Sequence, residues 1–178
     1  MRTWLAIIAI SGFLSVAGTG QNAVQPSDDN NEMVAQNRTC KLAIPNDWKP
    51  ISDPTGKSVL LVGDMARAQF LSIAVIDKSD FDGSIADYLN EEAGTILAHL
   101  QNPSESQPVS REVGGLPAQE VRIAGSENRY KSIYTITIAE SQSRYYRILT
   151  FTRPSAEREA NEIFAKVLAT FSPIEAGS

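Results

Sequence analysis

The sequence predicts an α+β fold, a central and mainly antiparallel sheet of about six or seven strands with helices packed on it. The first observation behind this is the stretch from Tyr130 to Arg153, YKSIYTITIAESQSRYYRILTFTR, which has the β-branched and aromatic alternation of a long antiparallel hairpin. Tyr134, Ile136 and Ile138 share one face of its first arm, and Ile133, Thr135 and Thr137 the other. In the second arm Tyr146 and Ile148 oppose Tyr145, Leu149 and Phe151. The second observation is that neither arm has a polar face, so the sheet needs a cover on each side. The third is a pair of amphipathic helical patterns that can supply those covers.

Taken in order, Met1 to about Gly20 has a short basic region with Arg2, an apolar run from Trp4 to Leu14, and small residues after it. That is the layout of a secretory signal peptide, and the run is too short for a comfortable membrane span. Cleavage fits after Ala17 or Gly18, with an uncleaved anchor as the alternative. No cysteine follows the small residues, so a lipoprotein is not expected. Residues 21–39 read as a disordered polar leader, because Ser27-Asp28-Asp29-Asn30-Asn31-Glu32 and its neighbours bury too little to offset the entropy of ordering. Asn37-Arg38-Thr39 matches a glycosylation sequon by chance. The folded domain is expected over 40–174, and 175–178 as a flexible tail.

Cys40, Leu42 and Ile44 alternate with Lys41 and Ala43 as a first strand, closed by Pro45-Asn46-Asp47 before Trp48. Residues 58–62 and 70–76 are two more strands, joined through Gly63-Asp64. Leu71, Ile73 and Val75 lie on one face of the latter and Phe70, Ala74 and Ile76 on the other. Ser84, with Asp87 three residues on, opens a helix in the manner of a capping box. Its stripe is Ile85, Leu89, Ala93, Ile96, Leu97 and Leu100, and Asn102-Pro103 stops it. Strands over 110–113 and 118–124 flank Gly114-Gly115-Leu116-Pro117, whose glycines permit positive φ. After the hairpin, Pro154-Ser155 starts a helix with a stripe of Ala156, Ala160, Ile163, Phe164, Val167, Leu168 and Phe171, closed by Ser172-Pro173.

Composition bounds the function. A chain of 178 residues with 42% hydrophobic content makes one ordinary globular domain. A net charge of −5 argues against a nucleic-acid partner. The single cysteine, Cys40, rules out an internal disulfide framework and reads as a small buried hydrophobe. The single histidine, His99, removes most metal sites and catalytic dyads and sits near a helix C-terminus, where a partly charged imidazole is favoured.

Ile44-Pro45-Asn46-Asp47-Trp48 after the first strand, the Gly115-to-Ala118 turn, the Tyr-rich hairpin and a final helix ending Ala169-Thr170-Phe171-Ser172 resemble the PsbP-like fold superfamily, which includes PsbP and the exported DcrB-like proteins. The resemblance spans about Cys40 to Ser172. It implies an α/β/α sandwich acting as a non-catalytic binding or assembly module. The motif positions are turns and core, so they mark a fold and carry no active site.

Asp77 to Gly83 has the acidic look of a calcium loop, but aligning Gly83 with that loop's glycine puts Lys78 at the first ligand and Leu89 at the bidentate Glu, so the motif fails. Neighbouring acids such as Glu91 and Glu92 point apart on a helix and read as surface. No nucleophile-elbow, dinucleotide or phosphate-loop motif is present. No catalytic residue, metal or cofactor is therefore assigned.

Charge contrast is the remaining signal. Between Arg129 and Arg153 five cations meet the single acid Glu140, interleaved with tyrosines, inside an acidic chain. The candidate partner surface is Arg129, Tyr130, Lys131, Arg144, Tyr145 and Arg147, residue types favoured at binding hot spots and suited to an acidic protein. The alternative is that these cations pair internally with acids such as Glu91, Glu92 or Glu120. The expected function is a periplasmic or secreted, non-catalytic protein-binding module without a stable membrane anchor after signal cleavage; a periplasmic immunity protein or inhibitor of a secreted enzyme is the second reading.

Overall fold

The computed structural model describes residues 31–174, so the expected signal peptide, the leader up to residue 30 and the tail over 175–178 lie outside the described residues. In chain order the elements are β1 (Glu32–Val34), β2 (Cys40–Ala43), β3 (Lys49–Pro50), β4 (Leu60–Asp64), β5 (Gln69–Asp77), α1 (Ile85–Leu97), β6 (Gln101–Glu105), β7 (Val109–Val113), β8 (Leu116–Glu127), β9 (Tyr130–Glu140), β10 (Arg144–Thr152), α2 (Glu157–Leu168) and β11 (Ser172–Pro173). An 8-stranded antiparallel sheet runs β3-β4-β5-β10-β9-β8-β6, with β7 also on β8, and a 3-stranded sheet runs β1-β2-β11.

The main sheet is the one the hairpin alternation demands, with β9 and β10 at its centre. Their register pairs Tyr145 with Glu140 and Thr152 with Ile133, and β5 lies on the other side of β10, Phe70 opposite Phe151. Side-chain parity then builds two separate cores. Tyr134, Ile136, Ile138 and Tyr145 pack with Val121 and Ile123 under Tyr88, Leu89, Ala93 and Ile96 of α1. Tyr146, Ile148, Leu71 and Ile73 point the other way, to Ala160, Phe164 and Val167 of α2 and to Cys40 and Leu42 of the small sheet. Burying an aliphatic side chain such as Ile136 or Ile148 stabilises by about 1.5–3 kcal/mol, so both covers are needed to hold the sheet.

Local signals explain the ends of the elements. Ser84 and Asp87 form the expected capping box, each side chain accepting from the other's backbone N–H. Gly114 and Gly115 sit at φ 59 and 77, which makes the two-residue turn between β7 and β8. Pro154 begins a short 3-10 turn, Pro154–Ala156, that leads into α2.

Three expectations are corrected. The expected leader does not extend to residue 39, because Glu32–Val34 pairs with β2 and buries Met33 and Ala35 in the core under α2. The strand from Cys40 belongs to the small sheet on that face, not to the main one. Asn102-Pro103 lies inside the edge strand β6, which pairs with β8 through a register shift.

Candidate functional site

The two ends of the β9–β10 hairpin differ in kind. At its closed end, beside Ser141–Ser143, the cations are consumed by the fold. Arg144 donates from Nε to Asp77 Oδ1 at 3.1 Å and from a terminal nitrogen to the Ile174 carbonyl. Lys78 pairs with Glu140 at 2.5 Å and lies 5.2 Å from the centre of the Tyr145 ring. That ring is only 4% exposed, wedged against Phe81 and Tyr88, and its hydroxyl donates to the Gly83 carbonyl. Arg147 is 8% exposed and donates to Glu92 Oε2 of α1 at 3.0 Å, while its Nε is buried without a partner among the described residues.

Arg144, Tyr145 and Arg147 thus leave the expected partner surface. The reason is parity: Arg147 shares the face of Tyr145 and Leu149, which α1 covers. Glu92, read as surface, is the half-buried acid that meets Arg147 there.

At the open end the picture reverses. Glu127 pairs with Tyr130, so Asn128 and Arg129 form a two-residue turn, at φ 49 and 72. Positive φ at both positions is the primed geometry that suits the twist of a hairpin. Tyr130 at its tip is 70% exposed. Arg129, Lys131 and Arg153 are exposed, and among the described residues none of the three enters an ion pair. These residues, with Pro154 and Ser155, line a shallow depression of about 340 Å³. The span of β9 sets this end roughly 34 Å from the closed end at about 3.4 Å per residue.

The same end carries a second turn. Asp64 accepts from the backbone N–H groups of Ala66 and Arg67, and the Arg67 guanidinium bridges Asp64 and Asp47. Met65 in this turn is 59% exposed. Because β5 and β9 both flank β10, the two turns stand on either side of the point where β10 ends and Arg153-Pro154-Ser155 departs towards α2. Pro154, Ser155 and Met65 carry no motif that could have marked them; only the pairing order brings them to this end.

The remaining chemistry-bearing groups lie apart. Cys40 is buried under α2, and burial pushes its thiol up to about 11, with a smaller opposing effect from a Thr39 hydrogen bond. His99 follows α1 and is exposed. Among the described residues no group of three or more His, Cys, Asp or Glu is placed to hold a metal. No helix among them is long and apolar enough to cross a membrane.

No family model matches the chain, and a search of curated proteins finds no relative. Solved structures do share its shape. LpqN of Mycobacterium tuberculosis, described as involved in cell envelope biogenesis, matches with a TM-score of 0.59 at 13% identity over 76% of this chain and 83% of its own. A Bacteroides thetaiotaomicron protein matches with a TM-score of 0.60 at 13% identity over 84% of this chain, which spans 50% of that longer one. Cyanobacterial PsbP from Synechocystis matches with a TM-score of 0.59 at 13% identity over 90% of this chain and 98% of its own. The covered antiparallel sheet and these likenesses together make this chain an α+β protein of PsbP-like fold.

Proposed function

We propose that the chain is an exported, non-catalytic module that works in the cell envelope by holding another protein, in the manner of an assembly factor. The observation that carries this reading is the exposed cluster of Arg129, Tyr130, Lys131 and Arg153, three cations that enter no ion pair among the described residues, on a chain of net charge −5. Arginine and tyrosine are favoured where binding energy concentrates, and a local patch of opposite sign orients an acidic partner during encounter. The apolar run at the N-terminus supports export. The shared fold with an envelope biogenesis protein supports the compartment. The separation of Cys40 from His99, on opposite sides of the sheet, and the raised thiol pKa support a role without nucleophilic chemistry.

Affinity capture with the tagged full chain from its own envelope extract, at low and at moderate salt, tests this. One stoichiometric protein partner, released as salt rises, is expected. Failure to retain any protein at either salt would remove the reading.

A further inference from the structure

We infer that the open end of the sheet is a one-strand slot that seats an extended acidic segment of the partner, main chain against Lys131 and carboxylates against Arg129, Lys131 and Arg153. This rests on the binding-module reading and specifies what the bound element is. The slot follows from register. β10 ends with Thr152 opposite Ile133, but β9 continues to Tyr130 and is there paired, among the described residues, with β8 alone. The hairpin tip therefore overhangs the end of β10 by three residues, roughly 10 Å. On the far side the β4–β5 turn with Met65 also lies beyond that level, since Phe70 faces Phe151. The gap between β5 and β9 is two strand spacings, roughly 10 Å, the width of one extended chain, and Arg153-Pro154-Ser155 line it where the chain leaves β10 towards α2.

Main-chain chemistry points the same way. In a two-residue hairpin the residues flanking the turn exchange both hydrogen bonds, so Tyr130 bonds to Glu127 and the next residue turns its N–H and C=O outward. Lys131 thus presents a donor and an acceptor to the side that β10 has vacated. An added strand would use them, as in β-augmentation. Tyr130 and Pro154 offer apolar surface to alternate side chains of that strand.

Shape decides between an acidic protein segment and an anionic lipid surface. A flat bilayer touching the Tyr130 tip would leave Arg153 roughly 7 Å behind it, level with Ser132, and has no extended main chain to pair with the outward groups of Lys131. A peptide entering the step brings its carboxylates into the depression that Arg129, Lys131 and Arg153 line.

The probe is a fluorescein-labelled peptide of alternating glutamate and valine, titrated against the full chain by fluorescence anisotropy. Saturable binding that weakens with salt is expected, and none for alternating lysine and valine. Arg129→Glu combined with Lys131→Glu and Arg153→Glu should lose at least about tenfold in affinity, since exposed charge pairs are individually weak but three are reversed together. Lys166→Glu, a charge reversal on the exposed side of α2, should bind as the unaltered chain does. N-methylating the peptide's amides should also weaken binding, because the charges stay and the main-chain donors go. No binding of the acidic peptide, equal affinity in the triple variant, or binding to phosphatidylglycerol vesicles with no peptide binding would each overturn the slot. If envelope partner capture survives the triple reversal, the slot falls and the binding-module reading stands; if neither peptide nor partner binds, both fall.

Discussion

Arg129 is held at φ 72 and Asn128 at φ 49, and only the second residue type tolerates that region well. A side chain with a Cβ costs about 1 kcal/mol there, and glycine would not. Arg129→Gly should therefore raise unfolding stability by about 1 kcal/mol in urea titration while weakening capture of an acidic partner. A rise in stability with no loss of binding would take Arg129 out of the surface. Arg147 makes the opposite case. Its side chain is 10% exposed and that of Glu92 13%, so Glu92→Ala leaves a nearly buried guanidinium without its counter-charge and should cost about 3 kcal/mol. Glu92→Leu together with Arg147→Met should recover most of it, as measured by the same titration. The charge count between Arg129 and Arg153 was legible in the sequence, but not which cations the fold uses. Asp77 and Glu92 lie 67 and 55 residues from Arg144 and Arg147, beyond any local pattern. Alternation alone does place Arg147 on the face of Tyr145 and Leu149, and that was the available sign that it points inward.

Among the elements, those with strong periodicity were legible and those held by tertiary pairing were not. The β9–β10 hairpin, β5 and both helices follow from spacing because their apolar residues face covers. β6 is exposed at every position and contains Pro103, so only its ladder with β8 makes it a strand. The cap of α1 was legible as a residue pair, and it has a pH signature. The Ser84 side chain and backbone N–H hold the Asp87 carboxyl below its ordinary value of 3.8. The backbone N–H of Arg67 leads the same effect on Asp64; at Asp53 burial works upward and hydrogen bonds from Thr55 and Ser58 outweigh it. A carboxyl lowered in the folded state stabilises fully above its unfolded pKa and less as pH falls through the folded one. The melting temperature should accordingly be insensitive to these groups above about pH 5 and fall below about pH 4. Ser84→Ala should lower it above pH 4 and flatten part of that acid slope. An unchanged slope in the variant would exclude the cap from the acid response.

At the scale of the molecule, the main sheet has two covers of different construction: a helix alone on one face, and on the other α2 joined to a small sheet whose edge is β1. That edge came from residues whose acidic, polar composition reads as disorder, because composition averages over Met33, Val34 and Ala35 and misses that two of them are under 4% exposed. Their anchors are distant: Gln36 N–H donates to the Val59 carbonyl, Ala35 N–H to that of Cys40, and Asn31 reaches Asn46. β1 therefore closes the cover over Cys40 and Leu42 and ties it to the strand edge at Val59. A chain starting at Asn31 serves as the reference, since it keeps the whole of β1. One starting at Cys40 exposes the core once filled by Met33 and Ala35 and should lose about 3 kcal/mol or more in chemical denaturation, the scale of deleting a buried methionine with its neighbour. Both chains keep Arg129, Tyr130, Lys131 and Arg153, so the longer one should hold an acidic partner unaltered. If the Cys40 chain proves equally stable, β1 is dispensable and β2 with α2 suffices to cover that face.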